Sequence, residues 1–187
     1  MKIEAILWDI GGVLLEDPLI KEFWENKEGS KELRDLFGIG KLSEKEFINK
    51  GSNLLKVSKK EFNRRYFKSY FSIKKISKVS YLFEKTKGKN YIFSDTNPLH
   101  TKFVKKTYPE LFLVKKTFLS HEIGKRKSDE EVYKNIISEL NLKPEEILFI
   151  DNKKEYLDIA EKYGIRTILY ENPEKLEQKM KKLNLLR

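Results

Sequence analysis

The stretch IEAILWDIGGVL, residues 3–14, decides the fold that this sequence predicts. An apolar run of strand length ends on one carboxylate, Asp9, and the glycine pair Gly11 and Gly12 follows. A buried strand of a parallel sheet reads as a short, continuous apolar run. Ligands of open α/β sheets bind beyond the carboxyl ends of the strands, and glycine lets backbone approach a ligand. Asp9 is therefore expected at the mouth of a sheet, either as a site residue or as a solvated carboxylate in a turn.

Two further apolar runs also end in polar residues. Residues 91–97 read YIFSDTN and residues 147–152 read ILFIDN, and between them residues 124–129 read GKRKSD. The strand-like runs alternate with helical patterns, which indicates a parallel sheet with crossover helices. We therefore predict an α/β fold with a Rossmann-like, three-layer core.

The order of these polar residues, Asp, Ser, Lys and Asp, resembles the four motifs of the haloacid dehalogenase (HAD) superfamily, most of whose members are phosphatases. The match is closer to the branch of bacterial sugar-1-phosphate (glucose-1-phosphate) phosphatases. That branch has Asp-x-Gly-x-Val as its first motif, and residues 9–13 read DIGGV. It has Ser-Asn-Thr-Asn-x-x-His-Thr as its second, and residues 94–101 read SDTNPLHT. The resemblance covers residues 1 to about 15 and about 90 to 170.

The domain organisation follows from a change of pattern after residue 15. Residues 1–15 and 81–187 are predicted to form the HAD-like α/β core, and residues 16–80 to form a helical insert. Capping-box patterns at Ser43 and Ser58 predict helix starts inside the insert. In HAD proteins, an insert between the first and second motifs is a helical cap over the active site.

Aromatic residues recur at helical spacing in the insert, at Phe62, Tyr66 and Tyr70. One aromatic face on a helix favours packing within the insert over a platform for stacking bases. The surrounding stretch, residues 56–78, is the most basic in the chain, but it contains no base-reading motif. We interpret it as a solvated outer face and do not expect nucleic-acid binding.

Composition bounds the class of protein. The 187 residues suffice for one domain with a modest insert. The chain has no cysteine, no signal-peptide pattern and no apolar run of membrane-spanning length, so we expect a cytoplasmic protein that does not enter a membrane. Its net charge of +10 is compatible with anionic substrates and also with a generally lysine-rich composition. The sequence leaves the oligomeric state open.

The resemblance implies phosphoryl transfer through an aspartyl-phosphate. Asp9 would be the nucleophile, and Ser94 and Lys127 would complete the catalytic set. Mg²⁺ would bind Asp9, Asp151 and the backbone carbonyl of Gly11. The phosphate would contact the catalytic Ser94 and Lys127 together with three neighbours of Ser94, which are Asp95, Thr96 and Asn97.

Several positions depart from the usual HAD pattern. Most HAD phosphatases carry an acid–base aspartate where this chain has Gly11, although the sugar-1-phosphate branch also has glycine there. Asn152 stands where many members have a second acid, and Tyr156 where asparagine is common. Asp95 replaces the branch's asparagine, either as a substitute acid–base group or as a structural acid near a helix N-terminus. Ser128 replaces a usual proline and is expected to begin a capped helix.

These observations leave three functions open. The first is a Mg²⁺-dependent phosphatase acting on a small phosphorylated metabolite, with a sugar phosphate as one option. The alternative is a catalytically weakened HAD-like domain that binds a phosphorylated ligand or a partner, because fold does not fix function. A metal-independent dehalogenase is disfavoured, since that subgroup usually has Asp-x-Tyr-Gly-Thr where residues 9–13 read DIGGV.

Overall fold

A five-stranded parallel sheet forms the centre of the protein. The computed structural model describes residues 2–16, 23–24, 27–70, 72–86 and 88–186. The strand order across the sheet is β3-β2-β1-β4-β5, and every neighbouring pair is parallel. The strands are β1 (Ala5–Trp8), β2 (Asn90–Ser94), β3 (Thr117–Leu119), β4 (Ile147–Asp151) and β5 (Arg166–Leu169).

Helices connect the strands and fill the insert. Those of the insert are α1 (Ser30–Gly38), α2 (Glu44–Leu54) and α3 (Lys59–Lys68). The others are α4 (Ser77–Lys85), α5 (Pro98–Thr107), the one-turn α6 (Ser120–Ile123), α7 (Glu130–Leu140), α8 (Lys154–Lys162) and α9 (Pro173–Lys182). Short 3₁₀ turns lie at Pro109–Phe112 and Pro144–Glu146.

The central strand is buried on both faces. Ile6 and Trp8 belong to one hydrophobic cluster, and Ala5 and Leu7 belong to another. Alternate side chains of a strand point to opposite faces, so β1 separates two cores. Helices α4, α5 and α9 contribute to the first core, and α7 and α8 contribute to the second. This three-layer arrangement confirms the predicted Rossmann-like α/β class and explains why β1 is continuously apolar.

The insert has an aromatic core. Phe62, Tyr66 and Tyr70 are all at most 1% exposed. The rings of Phe62 and Tyr66 stack, and both lie edge-on to the buried ring of Trp24. Such aromatic pairs stabilise packing beyond the area they bury. The predicted packing role of this face is therefore confirmed.

Two backbone segments link the insert to the sheet side by side. The Glu16 N–H donates to the Lys74 carbonyl at 2.9 Å, and the Ile76 N–H donates to the Leu14 carbonyl at 3.1 Å. The chain leaving β1 therefore pairs with the chain that enters α4. The division into a core and a cap stays a prediction, and its proposed boundary after residue 80 falls inside α4.

The end of α1 packs against the loops at the carboxyl edge of the sheet. Ser120 Oγ lies 2.7 Å from the Gly38 carbonyl oxygen, and it also accepts a hydrogen bond from the Thr96 N–H at 2.9 Å. Gly40 has φ +72°, and a Cβ placed there would lie 2.4 Å from the His121 carbonyl oxygen. Insert and core backbone thus approach so closely that Gly40 has no room for a side chain.

Gly40→Ala is expected to destabilise the protein by roughly 2 kcal/mol or more, because it adds a backbone clash to the cost of a left-handed alanine. For a chain of this size, that corresponds to a fall in Tm of about 4 °C or more. The matched control is Gly124→Ala, since Gly124 has φ +75° but no atom within 4 Å of an added Cβ. Thermal unfolding of both variants measures the difference, and equal Tm values would contradict a close contact between insert and core.

The secondary structure follows the sequence closely, with one correction at a helix start. Ser43 forms the predicted capping box with Glu46. The predicted capping box at Ser128 is wrong, because Asp129 is the N-cap residue of α7 and accepts the Glu131 N–H. An aspartate can cap the following helix as well as a serine, so the helix begins one residue later.

No helix in the described part of the chain is long and apolar enough to span a membrane.

Candidate active site

Three charged side chains meet at the carboxyl edge of the sheet. Asp9 directly follows β1, Asp151 ends β4, and Lys127 lies in the loop before α7. The Lys127 Nζ is 2.7 Å from Asp9 Oδ1 and 2.6 Å from Asp151 Oδ2. Because β1 and β4 are adjacent and parallel, their ends place both carboxylates at one point. The structure thus brings together three of the predicted site residues.

The burial of these groups differs in a way that matters for chemistry. Asp151 is fully buried and Lys127 is 1% exposed, whereas Asp9 is 7% exposed. A buried charge requires paired charges and hydrogen bonds. Asp151 receives both, since its Oδ1 also accepts the Lys153 N–H at 2.8 Å. Asp9 is the carboxylate of the pair that still reaches the surface.

Burial and charge shift the pKa values of this cluster. Burial raises the pKa of Asp151, and the nearby charge of Asp9 raises it further, while Lys127 acts against both. Burial alone would lower the pKa of Lys127, but the charges of Asp9, Asp151 and Asp95 outweigh that effect and raise it. Lys127 is therefore a permanent cation, shared by two carboxylates.

Aromatic rings enclose the ammonium group of Lys127. Its Nζ lies 5.4 Å from the ring centres of Phe93 and Phe149 and 5.6 Å from that of Tyr156. Such contacts stabilise a desolvated cation through the ring quadrupole. Tyr156 therefore takes part in the site through Lys127, although the sequence only marks it as a departure. Asp151 is oriented without it, by Lys127 and the Lys153 N–H.

The loop after β2 supplies the second predicted group of residues. Ser94 ends β2 and is 2% exposed, and the Asp95 Oδ1 accepts the Lys127 N–H at 3.0 Å. Asp95 therefore ties this loop to the loop that carries Lys127, which favours its structural interpretation. The Asn97 side chain accepts the His100 N–H and caps α5. The roles of these residues and of Thr96 toward phosphate stay predictions.

Two further residues shape the site without a sequence signal. The Tyr133 hydroxyl lies 2.8 Å from the Lys127 carbonyl oxygen and 3.1 Å from that of Tyr156. It therefore fixes the backbone beneath Lys127. Ser120 joins the loop after β2 to the insert, as described above. Ser120 is 24 residues from Thr96 and 82 from Gly38, and Tyr133 reaches Lys127 only because α7 folds back over the loop before it, so neither contact has a local sequence signal.

The oxygen donors at Asp9 and Asp151 fit a hard divalent cation. Mg²⁺ typically binds one or two carboxylates and completes its shell with waters or phosphate oxygens. The described residues contain no group of three or more acidic, histidine or cysteine side chains that could hold a metal ion, so Asp9 and Asp151 are the two candidate carboxylate ligands. The Gly11 carbonyl accepts no hydrogen bond from the described residues and is available as a further donor. Asp9, Asp151 and Gly11 are thus the residues that could hold Mg²⁺.

His100 is a buried histidine beside this site. Its Nδ1 lies 2.8 Å from the Thr96 hydroxyl, and its Nε2 is buried without a hydrogen-bond partner in the described part of the chain. Burial lowers the pKa of His100 to about 4, against an opposing effect of the Asp9 charge. The imidazole is therefore neutral at physiological pH and adds no cation to the site.

The buried His100 is expected to make stability depend on pH. Because its folded-state pKa is depressed from the ordinary 6.5 to about 4, its contribution is present above pH 6.5 and is lost as the pH falls toward 4. The shift corresponds to ~3 kcal/mol at most. Urea unfolding across this range should show a smaller pH-dependent loss for His100→Gln than for wild type and for His121→Gln. An unchanged pH dependence in His100→Gln would contradict a buried neutral imidazole.

Comparison with solved structures places this architecture among known folds. A predicted HAD-like family hydrolase from Porphyromonas gingivalis superimposes with a TM-score of 0.80 at 22% identity, over 98% of both chains. A HAD family enzyme from Bacteroides thetaiotaomicron superimposes with a TM-score of 0.76 at 23% identity, over 91% of this chain and 95% of that one. The latter enzyme has also been solved in complex with magnesium and inorganic phosphate, in a structure that is 24% identical, with a TM-score of 0.73 over 90% of this chain and 94% of that one.

The fold also resembles that of dehalogenases, at lower similarity. The L-2-haloacid dehalogenase of Xanthobacter autotrophicus superimposes with a TM-score of 0.64 at 12% identity, over 95% of this chain and 82% of that one. No known protein-family profile matches the sequence. At these identities the comparisons establish the fold, and the fold of this chain is that of HAD family enzymes.

Proposed function

We propose that the protein is a HAD-type, Mg²⁺-dependent phosphatase that hydrolyses a small phosphorylated metabolite through an aspartyl-phosphate on Asp9. The observation that carries the proposal is the placement of Asp9. It is a partly accessible carboxylate at the end of the central strand, paired at 2.7 Å with a buried lysine that also contacts Asp151. The magnesium and phosphate complex of the Bacteroides enzyme, which shares the fold, supports the same chemistry.

The proposed first step is attack of an Asp9 oxygen on the phosphorus atom. The bond between phosphorus and the leaving oxygen breaks, and an acyl phosphate forms on Asp9. Lys127 and the Ser94 hydroxyl would donate to the phosphoryl oxygens as charge develops on them. Bound at Asp9, Asp151 and the Gly11 carbonyl, Mg²⁺ would neutralise the phosphate charge that otherwise repels a carboxylate nucleophile.

The second step is attack of water on the phosphorus atom of the acyl phosphate. Inorganic phosphate leaves and the Asp9 carboxylate is regenerated.

In the first step, Gly11 offers no acid to protonate the leaving oxygen, and Asp95 is engaged with the Lys127 N–H and lies near Arg126. Solvent therefore supplies the proton, which favours substrates with good leaving groups, such as anomeric or acyl phosphates. Among the anomeric phosphates, a sugar 1-phosphate is the substrate that we propose.

The proposal is tested by hydrolysis of p-nitrophenyl phosphate, whose leaving group hardly needs an acid. We expect turnover with Mg²⁺, none with EDTA, and recovery when Mg²⁺ is restored. Ca²⁺ serves as a control cation, because it prefers more ligands and looser geometry than Mg²⁺. A folded protein that remains inactive at saturating Mg²⁺ would contradict the proposal.

The missing acid at Gly11 specifically favours a second candidate, a domain that binds phosphorylated ligands without turnover. That protein would bind phosphate or p-nitrophenyl phosphate with Mg²⁺ but release no p-nitrophenol. Equilibrium binding measured beside the assay separates the two candidates, since only the phosphatase both binds and releases product.

A further inference from the structure

A cavity of about 320 Å³ lies between the insert and the loop after β2. Its walls are formed by α1, by Tyr66 of α3, by three residues of the loop and by Arg126, which precedes Lys127. The charged residues of the lining are Lys31, Arg34, Asp35, Asp95 and Arg126. Its volume lies in the range of sites for small molecules. Asp95 of the lining accepts the Lys127 N–H, and Arg126 of the lining directly precedes Lys127, so the cavity adjoins the candidate active site.

Cationic side chains outnumber anionic ones in the cavity. Lys31, Arg34 and Arg126 face Asp35 and Asp95. Both carboxylates are near Arg126, whose Nη2 is 3.0 Å from Asp35 Oδ1 and whose Nη1 is 4.0 Å from Asp95 Oδ2. Lys31 and Arg34 have no carboxylate partner among the described residues. The net charge of the cavity lining is therefore positive, and the cations Lys31 and Arg34, unpaired in the described part of the chain, belong to the insert.

Arg34 has hydrogen-bond donors that the described residues leave unused. Its Nε donates to the Ser30 carbonyl at 3.2 Å within its own helix, and its terminal nitrogens make no hydrogen bond to the described residues. Lys31 precedes it by one helical turn, so the two side chains lie on one face of α1. A guanidinium fork matches the oxygens of a carboxylate or phosphate group. This half-buried arginine is therefore suited to an anionic group from outside the chain.

We propose that this cavity binds a second anionic group, a phosphate or carboxylate on the part of the substrate that remains after phosphoryl transfer. Arg34 and Lys31 would bind that group, and Arg126 would keep Asp35 and Asp95 from repelling it. The substrate class is thus a small metabolite with acidic groups at both ends, such as a diphosphorylated sugar or a phosphorylated carboxylic acid. This inference rests on the proposed phosphatase function.

The test compares substrates that differ only in the second group. One pair is glucose 1-phosphate and glucose 1,6-bisphosphate, and the other is ethyl phosphate and phosphoglycolate. We expect wild type to favour the member with two acidic groups in at least one pair roughly tenfold in kcat/KM, and Arg34→Met and Lys31→Met each to remove most of that preference. Which pair responds identifies phosphate or carboxylate as the second group. Lys45→Met is the control, since Lys45 is exposed on the same insert and outside the cavity.

Two readouts separate this inference from the phosphatase proposal. Hydrolysis of p-nitrophenyl phosphate, which has no second anion, should be unchanged in Arg34→Met and Lys31→Met. Equilibrium binding of the same pairs to the wild type and these variants in EDTA, which prevents the proposed Mg²⁺-dependent turnover, tests the cavity even if the protein is not a phosphatase. Equal affinity for both members of each pair, or an equal loss for both in Arg34→Met, would overturn the inference.

Discussion

Asp9→Asn is expected to reduce turnover of p-nitrophenyl phosphate at least about a thousandfold, because it replaces the proposed nucleophile with a neutral amide. The amide keeps the shape of the side chain, and its oxygen can still accept from Lys127. The folded structure should therefore persist, with Lys127 still paired to the fully buried Asp151. Initial rates at saturating Mg²⁺ measure the effect, and circular dichroism verifies the fold.

The control for Asp9 is a carboxylate close to Lys127 in sequence that takes no part in the proposed site. Asp129 caps α7 and lies two residues after Lys127, and Asp129→Asn keeps an N-cap that asparagine also provides. This variant should retain near wild-type turnover. Comparable activity in Asp9→Asn and Asp129→Asn would show that Asp9 is not the nucleophile.

Lys127→Met is expected to abolish turnover and to destabilise the fold by about 3–5 kcal/mol, because it leaves Asp9 and Asp151 facing each other without a counter-ion. Urea unfolding at neutral pH measures the loss. Lys125→Met is the matched control. Lys125 is a third exposed and pairs with Asp129 and Glu131 at the surface, where solvent screens the charges, so its loss should change stability little.

Two additional measurements keep the Lys127 prediction specific to charge. The double variant Asp9→Asn with Lys127→Met should be more stable than Lys127→Met alone, since one of the two repelling carboxylates is gone. Mg²⁺ should stabilise Lys127→Met, because a cation bound only by the folded state shifts unfolding in proportion to the logarithm of its concentration. A double variant less stable than Lys127→Met would contradict the charge cluster.

Much of the site could be predicted because it depends on strand topology. Asp9 and Asp151 each follow an apolar run, and neighbouring parallel strands must place such residues together. Both carboxylates contact Lys127, as this topology leads us to expect, and their chemical roles stay predictions. The HAD motif spacing, Gly-x-x-Lys, assigns Lys127 rather than its neighbours Lys125 and Arg126 when counted from Gly124, and of these three only Lys127 is buried.

The remaining features depend on contacts that form only once the elements have packed. Tyr133 supports Lys127 from one helical turn into α7, and Arg126 meets Asp35 of the insert. Neither pairing has a spacing rule, because both depend on how separate elements pack. The helix start at Asp129 instead of Ser128 reflects competition between two adjacent capping residues, which intrinsic preferences do not resolve.

The departures from the HAD pattern have different weights once the contacts are known. Tyr156 packs over the Lys127 ammonium and leaves Asp151 oriented by other groups. Asp95 accepts a backbone N–H, a role that asparagine would also fill through its carbonyl oxygen. Gly11 remains the departure with chemical consequences, since it removes an acid and its carbonyl accepts no hydrogen bond from the described residues. We therefore expect the rate of turnover to depend on the leaving group, and we do not expect turnover to be lost.

The most direct test of the account is to look for a phosphoryl group on Asp9. The protein with Mg²⁺ is mixed with acetyl phosphate that is radiolabelled at phosphorus and is quenched in acid, while phosphate release is followed in parallel. We predict label on the peptide that contains Asp9, its loss on a chase with unlabelled substrate, and neither label nor release in Asp9→Asn. Steady release of phosphate without label on that peptide, continuing undiminished in Asp9→Asn, would contradict an aspartyl-phosphate mechanism.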